Sequence, residues 1–159
     1  MILENLQKNG TSFLLTPLPY ELEASANGYH FVTDFGTKYE LTFYQIHTSY
    51  PIYSFAIERQ SDTYHADARV HATVMHALRL FFEQDLNAMV FTCEVEDGRQ
   101  YARFKLFDKW YQPYKQEYYR EVYCKDIYFS SIIARRDNPL AKEMAEWFVT
   151  LMSEMIDNI

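Results

Sequence analysis

The chain has 159 residues, 48% of them hydrophobic and 23% charged, a size that fits one core and a composition that is globular and not that of a disordered chain. The net charge of −7 argues against a general nucleic-acid or acidic-membrane binder, and no run approaches the ~20 apolar residues of a membrane helix. Aromatic residues, at 18%, are abundant, while only 4 glycines leave little scope for glycine-built ligand loops.

Ile2 to Leu6 and Phe13 to Leu15 are short apolar pieces, and Pro17 and Pro19 break the chain after them. Glu4 and the polar residues around it stand where a secretory signal needs an unbroken apolar run, so a cytoplasmic protein is expected. From Tyr20 the period is two. Tyr20–Ala24 and Tyr29–Thr33 are predicted strands around Asn27-Gly28, a strong hairpin signal. Asp34 to Thr37 forms a second turn, and Lys38–Ile46 and Ile52–Glu58 complete a four-stranded antiparallel meander with one apolar face.

The period then changes. Val70, Val74, Ala77, Leu78 and Phe81 make one stripe of a helix over 67–84. Residues 88–95 read as a buried strand, and a second helix runs from about Arg99 to Tyr111, closed by Pro113. Two strands come next, 118–123 and 127–134, joined near Lys125-Asp126. The last helix, 139–157, has Asn138 as N-cap and Pro139 at its first position. Leu140, Met144, Trp147, Leu151 and Met155 form its stripe, which Phe148, Met152 and Ile156 widen. The expected fold is α+β: one domain spanning 1–159, with an irregular segment and first strand at 1–28, a sheet with two helices at 29–136, and a terminal helix at 137–159. The segment from 52 to 95 is long enough for a crossover, which makes strands 52–58 and 88–95 parallel neighbours in a mixed, mainly antiparallel sheet.

That order, from Lys38 to Arg136, resembles the acyl-CoA-dependent N-acetyltransferase superfamily. The chain is also similar to small bacterial proteins grouped only as domains of unknown function, which implies no chemistry. The acetyltransferase resemblance places a pyrophosphate-binding loop near Arg69-Val70-His71-Ala72-Thr73-Val74, where no glycine occurs. Arg69, His71, Ala72 and Thr73 are thus the implied acyl-CoA contacts, made through a helix N-terminus. The superfamily's Asn-x-x-Ala-x-x-Leu-Tyr pattern falls on Gln100, Arg103, Leu106 and Phe107. The frequent catalytic tyrosine is therefore phenylalanine here, which cannot donate a proton.

Other constellations are plain. His71 and His76, five apart on a helix, diverge by about 140° and cannot chelate one metal, so no metal site is expected. Cys93 and Cys124 match no metal or redox spacing and are expected as buried free thiols. Glu94, Glu96 and Asp97 form an acidic turn with a minor prospect of general-base work. Residues 99–125 hold seven basic and three acidic side chains, a net of +4, interleaved with aromatic residues. Arg99, Arg103, Lys105, Lys109 and Trp110 are its basic aromatic patch, equipment for stacked bases or a phosphorylated ligand. Three functions are expected, in order: a non-catalytic binding or interaction module without cofactor, an acyl-CoA-dependent N-acyltransferase, and a nucleic-acid binder through 99–125. The broad apolar arc of the last helix further predicts a two-fold homodimer through it.

Overall fold

The computed structural model describes residues 17–158; the apolar pieces 2–6 and 13–15 lie outside them. Seven strands form one sheet: β1 (Glu23–Ser25), β2 (Gly28–Val32), β3 (Lys38–Gln45), β4 (Ile52–Arg59), β5 (Ala88–Thr92), β6 (Tyr118–Lys125) and β7 (Tyr128–Arg135). Three helices, α1 (Ala68–Phe81), α2 (Gln100–Tyr111) and α3 (Ala141–Asp157), accompany them. The strand order is β1-β2-β3-β4-β5-β7-β6. Every pairing is antiparallel except β4 with β5, so the crossover through α1 makes the one parallel pair. The protein is of the α+β class, with a mixed and mainly antiparallel sheet.

The first hairpin turns on Ala26-Asn27, and Gly28 is the first residue of β2, opposite Ser25. Its glycine serves close approach: a Cβ there would stand 2.0 Å from the Leu41 carbonyl oxygen of β3. The second turn does need a left-handed residue, Gly36 at φ 78°, inside a loop closed by the Thr33 and Gly36 amides.

Alternation divides the core between the two faces of the sheet. On one face Phe31, Tyr39, Leu41, Phe55, Met89 and Ile133 meet Val74, Ala77, Leu78 and Phe82 of the α1 segment and Phe107 of α2. On the other, Ile52, Ala88, Val90, Ile132 and Ala134 meet Met144, Ala145, Phe148 and Met152 of α3. Each fully buried Leu, Ile, Phe or Met contributes ~1.5–3 kcal/mol. The four-stranded meander shows α3 nothing but Ile52, and its outer face carries Lys38, Glu40, Thr42 and Glu58, as a half-solvated antiparallel sheet should.

Three expectations are corrected. The docking stripe of α3 is Met144, Ala145, Phe148 and Met152; Trp147 and Leu151 are half-buried and Met155 is exposed. The apolar arc is wide because it touches two things. One edge meets the sheet, and the other meets the loop before β4, where His47 packs on Trp147 with ring centres 5.0 Å apart. The helix begins at Ala141, not at Pro139. Asn138 instead closes a turn, its Oδ1 accepting the Leu140 N–H at 2.9 Å and its carbonyl the Ala141 N–H. Finally, Cys93 is buried but Cys124 is exposed, because β6 is the edge strand and Cys124 lies one residue from its end. No helix of the described residues is long and apolar enough to cross a membrane.

Candidate functional site

β4 is eight residues long and β5 five, yet they pair over three only, Ile52–Ser54 with Ala88–Val90. Beyond Ser54 each strand stays bonded to its outer neighbour: Ala56 and Ile57 to β3, Phe91 and Thr92 to β7. The strands therefore part, and their facing backbone edges no longer pair with each other. A cleft of about 250 Å³ opens there, with α2 along one side.

The helical period explains which α2 residues reach it. At about 100° per residue, Arg103, Leu106, Phe107 and Trp110 fall on one face, and Lys105 and Lys109 fall on the opposite one. The first four line the cleft with Phe55, Ala56, Ile57, Phe91, Thr92 and Glu94. Phe107 stacks on Phe91 at 4.4 Å between ring centres. Leu106 remains 47% exposed, an apolar wall facing the opening. Phe107 and Trp110 also line a narrow slot of about 60 Å³ on the α1 side, with Met75, Leu78, Arg79 and Tyr118.

The polar groups at the rim are fixed. Asp97 grips the Arg103 guanidinium with both oxygens, one at 2.8 Å, and the Glu94 carbonyl accepts a further bond at 3.2 Å. That pairing holds the Asp97 carboxyl well below the usual carboxylate range and raises Arg103. Arg103 is therefore a structural strut, and the Glu94 carboxylate is the acidic side chain on the lining. The Thr92 hydroxyl shares a 2.8 Å bond with Ser130. None of the lining residues is a cysteine, histidine or tyrosine.

The other sequence candidates take separate places. Asp67 caps α1 by accepting the Arg69 N–H at 3.0 Å, and residues 18–20 cross over that end. Tyr20 donates its hydroxyl to Asp67 at 2.5 Å and its amide to the Thr73 hydroxyl at 2.8 Å. Arg69 bonds the Leu18 and Pro19 carbonyls and Asp34, with its guanidinium 3.8 Å from the Tyr20 ring centre. Thr73 and Ala72 are buried. Burial is the main reason the Tyr20 hydroxyl is raised. His71 lies on Trp110 with ring centres 4.6 Å apart and an unpartnered, buried Nε2. Burial first, then Lys109, hold it below the ordinary histidine value. The structure thus joins one member of each candidate set, His71 and Trp110, behind the cleft.

The basic segment is divided likewise. The Arg120 side chain is buried, paired with Asp108 at 2.7 Å and set among Phe104, Phe107 and Tyr111. Lys125 pairs with Asp157. Lys105 lies over Tyr101, and the Arg99 amide is bonded to Asp97. Among the described residues no group of three or more His, Cys, Asp or Glu is placed to hold a metal. Sequence reading misses the cleft itself. The predicted strands 52–58 and 88–95 are nearly equal in length, and only the structure shows that β5 ends early, at Thr92.

A family model described as a family of unknown function (DUF6169) matches residues 66–150, and the chain belongs to that family. That match begins beside Asp67 and contains all of α1, β5, α2, β6 and β7. No match was found among the curated proteins or among the solved structures.

Proposed function

We propose that the protein is a non-catalytic binding module whose ligand lies extended in the cleft between β4 and β5. The parting of two parallel strands carries this reading. It leaves backbone N–H and C=O groups of both lips for an amide-bearing chain, between apolar walls. The closed end of α1 supports it, since Asp67 already accepts the Arg69 N–H on its side chain and the Val70 N–H on its carbonyl, donors that would otherwise attract phosphate. Trp110, one of 2 tryptophans, lines the cleft and reports on it. In a Trp147→Phe background, pantetheine or a capped apolar pentapeptide should change Trp110 fluorescence saturably, and Leu106→Glu should abolish the change. Silence from both probes, or an unaltered response in the variant, overturns the assignment. A ligand at 100 times its Kd should also add ~2.7 kcal/mol to stability.

A second reading, acyl-CoA-dependent N-acyl transfer, is favoured by the strand order β1-β2-β3-β4-β5-β7-β6 with the parallel pair at its centre. It would give Glu94 the task of taking the amine proton. It expects acetyl-CoA to bind and an acyl group to reach an amine, with transfer lost in Glu94→Gln; the first reading expects no turnover. Nucleic-acid binding through residues 99–125 stands third, because three of the seven cations are paired with carboxylates. Cytoplasmic residence accords with two free thiols. Self-association is included as a two-fold homodimer through the C-terminal helix α3, on whose flank Met155 is exposed.

A further inference from the structure

The helix α2 is seated unlike its neighbours. Phe107 is the one buried residue of its 12, whereas α1 buries five and α3 four. Apolar burial is what holds a helix to a sheet, so α2 has the weakest hold of the three.

Its polar fit points the same way. Seven buried side-chain polar atoms have no partner among the described residues, and four of them belong to this seat: Nε and Nη2 of Arg120, Nε2 of His71 and Oε1 of Gln100. Arg120 carries the greatest cost. Its side chain is 4% exposed and lies under α2 among Phe104, Phe107 and Tyr111, with one bond, from Nη1 to Asp108. His71 is the α1 residue on which Trp110 rests, and Gln100 is the first residue of α2 itself. A buried charge that is only half paired disfavours the closed arrangement, and lifting α2 gives all four atoms to water. The Asp108 carboxylate is 46% exposed, so water replaces its partner there at little cost.

The connections allow the motion. Before α2 the chain turns on Gly98 at φ 70°, and the Asp97–Arg103 pair sits beside that turn. After α2, residues 112–117 lead to β6, where the Tyr111 hydroxyl holds the Tyr118 carbonyl at 2.9 Å. Phe107 and Trp110 are also the two residues that line both the β4–β5 cleft and the slot on the α1 side. They partition the two spaces, and raising α2 joins them into one groove over Met89, Phe91 and Ile133.

We propose that α2 is a lid: in the free protein it undocks as a unit, pivoting on Gly98 and on residues 112–117, while the sheet, α1 and α3 stay folded. Entry of a ligand through that opening rests on the binding reading given above; the opening itself does not.

Native-state hydrogen exchange of the full chain, without ligand, tests the lid. The amides bonded within α2, from Phe104 to Tyr111, should exchange together through one opening at least ten-fold more populated than those that expose the buried turns of α1 and α3. Their rates should respond less to added urea, because the lid exposes less surface than global unfolding. Arg120→Met exchanges the half-paired guanidinium for an apolar chain and should slow α2 exchange at least ten-fold. Exchange of α2 only together with α1 and α3, or α2 rates unchanged in the folded Arg120→Met variant, would overturn the proposal. The comparison of the three helices in the native chain decides it even if that variant does not fold. No ligand is added, so silence of pantetheine and the pentapeptide in the Trp110 assay bears on the binding reading alone.

Discussion

Thr73→Val isolates the strap that closes the first helix. The Thr73 side chain is fully buried. Its hydroxyl accepts the Tyr20 amide at 2.8 Å and donates to the Arg69 carbonyl at 2.6 Å. Valine has nearly the same volume and branching, so packing and helix propensity change little. The Arg69 carbonyl keeps its ordinary helical partner, but the Tyr20 N–H has no alternative. A buried amide left unpaired costs about 1–3 kcal/mol. For a domain of this size each kcal/mol lowers Tm by roughly 2–4 °C, so a fall of about 2–12 °C is expected. Thermal unfolding by circular dichroism measures it, and hydrogen exchange locates it: the Tyr20 amide should lose protection in Thr73→Val and keep it in Thr73→Ser. An unchanged Tm together with an unchanged Tyr20 exchange rate would refute the strap.

His71 resists protonation in the fold, because burial and Lys109 lower it from its ordinary 6.5. The unfolded chain therefore takes up the proton first, and stability is lost as pH falls through 6.5 toward the folded value. His71→Phe keeps a ring on Trp110 and removes both this loss and the orphan Nε2. Urea midpoints from about pH 8 to about pH 5 should fall more steeply for the native chain than for the variant, and parallel curves would contradict the assignment. For α3, light scattering should give twice the chain mass at micromolar concentration, reduced to one chain by Met155→Glu. A single-chain mass without the substitution refutes the dimer, and because Met155 is exposed the variant keeps its fold.

The elements are legible wherever one period rules a whole segment. Clean stripes give α1 and β4, and the length of the crossover alone gives the parallel pairing of β4 with β5. The errors arise where one residue serves two surroundings. Asn27-Gly28 reads as a turn because glycine tolerates positive φ, whereas Gly28 is required by the Leu41 carbonyl across the sheet. Phe148 reads as surplus on α3, yet it is fully buried; the surplus faces the loop at His47. Cys124 shares the apolar flanks of Cys93, and only the strand order puts it on an edge. In each case the missing information is a contact distant in sequence, which no local period encodes.

The candidate sites are harder to read for a related reason. Arg69, His71 and Thr73 have the residue types of an anion loop, but Asp67 and Tyr20 turn the same donors and charge inward. Cap, strap and guanidinium together neutralise the end of α1 with parts of the chain itself. The start of α3 is built alike, Asn138 accepting the Leu140 N–H on its side chain and the Ala141 N–H on its carbonyl. Two helix starts thus share one Asx turn, but the first is also strapped by a distant tyrosine and an arginine. The difference lies in Tyr20, 47 residues from the carboxylate it meets. The donors and the charge at the end of α1 are thus consumed by a contact distant in sequence, which is why the same residue types read locally as an anion loop.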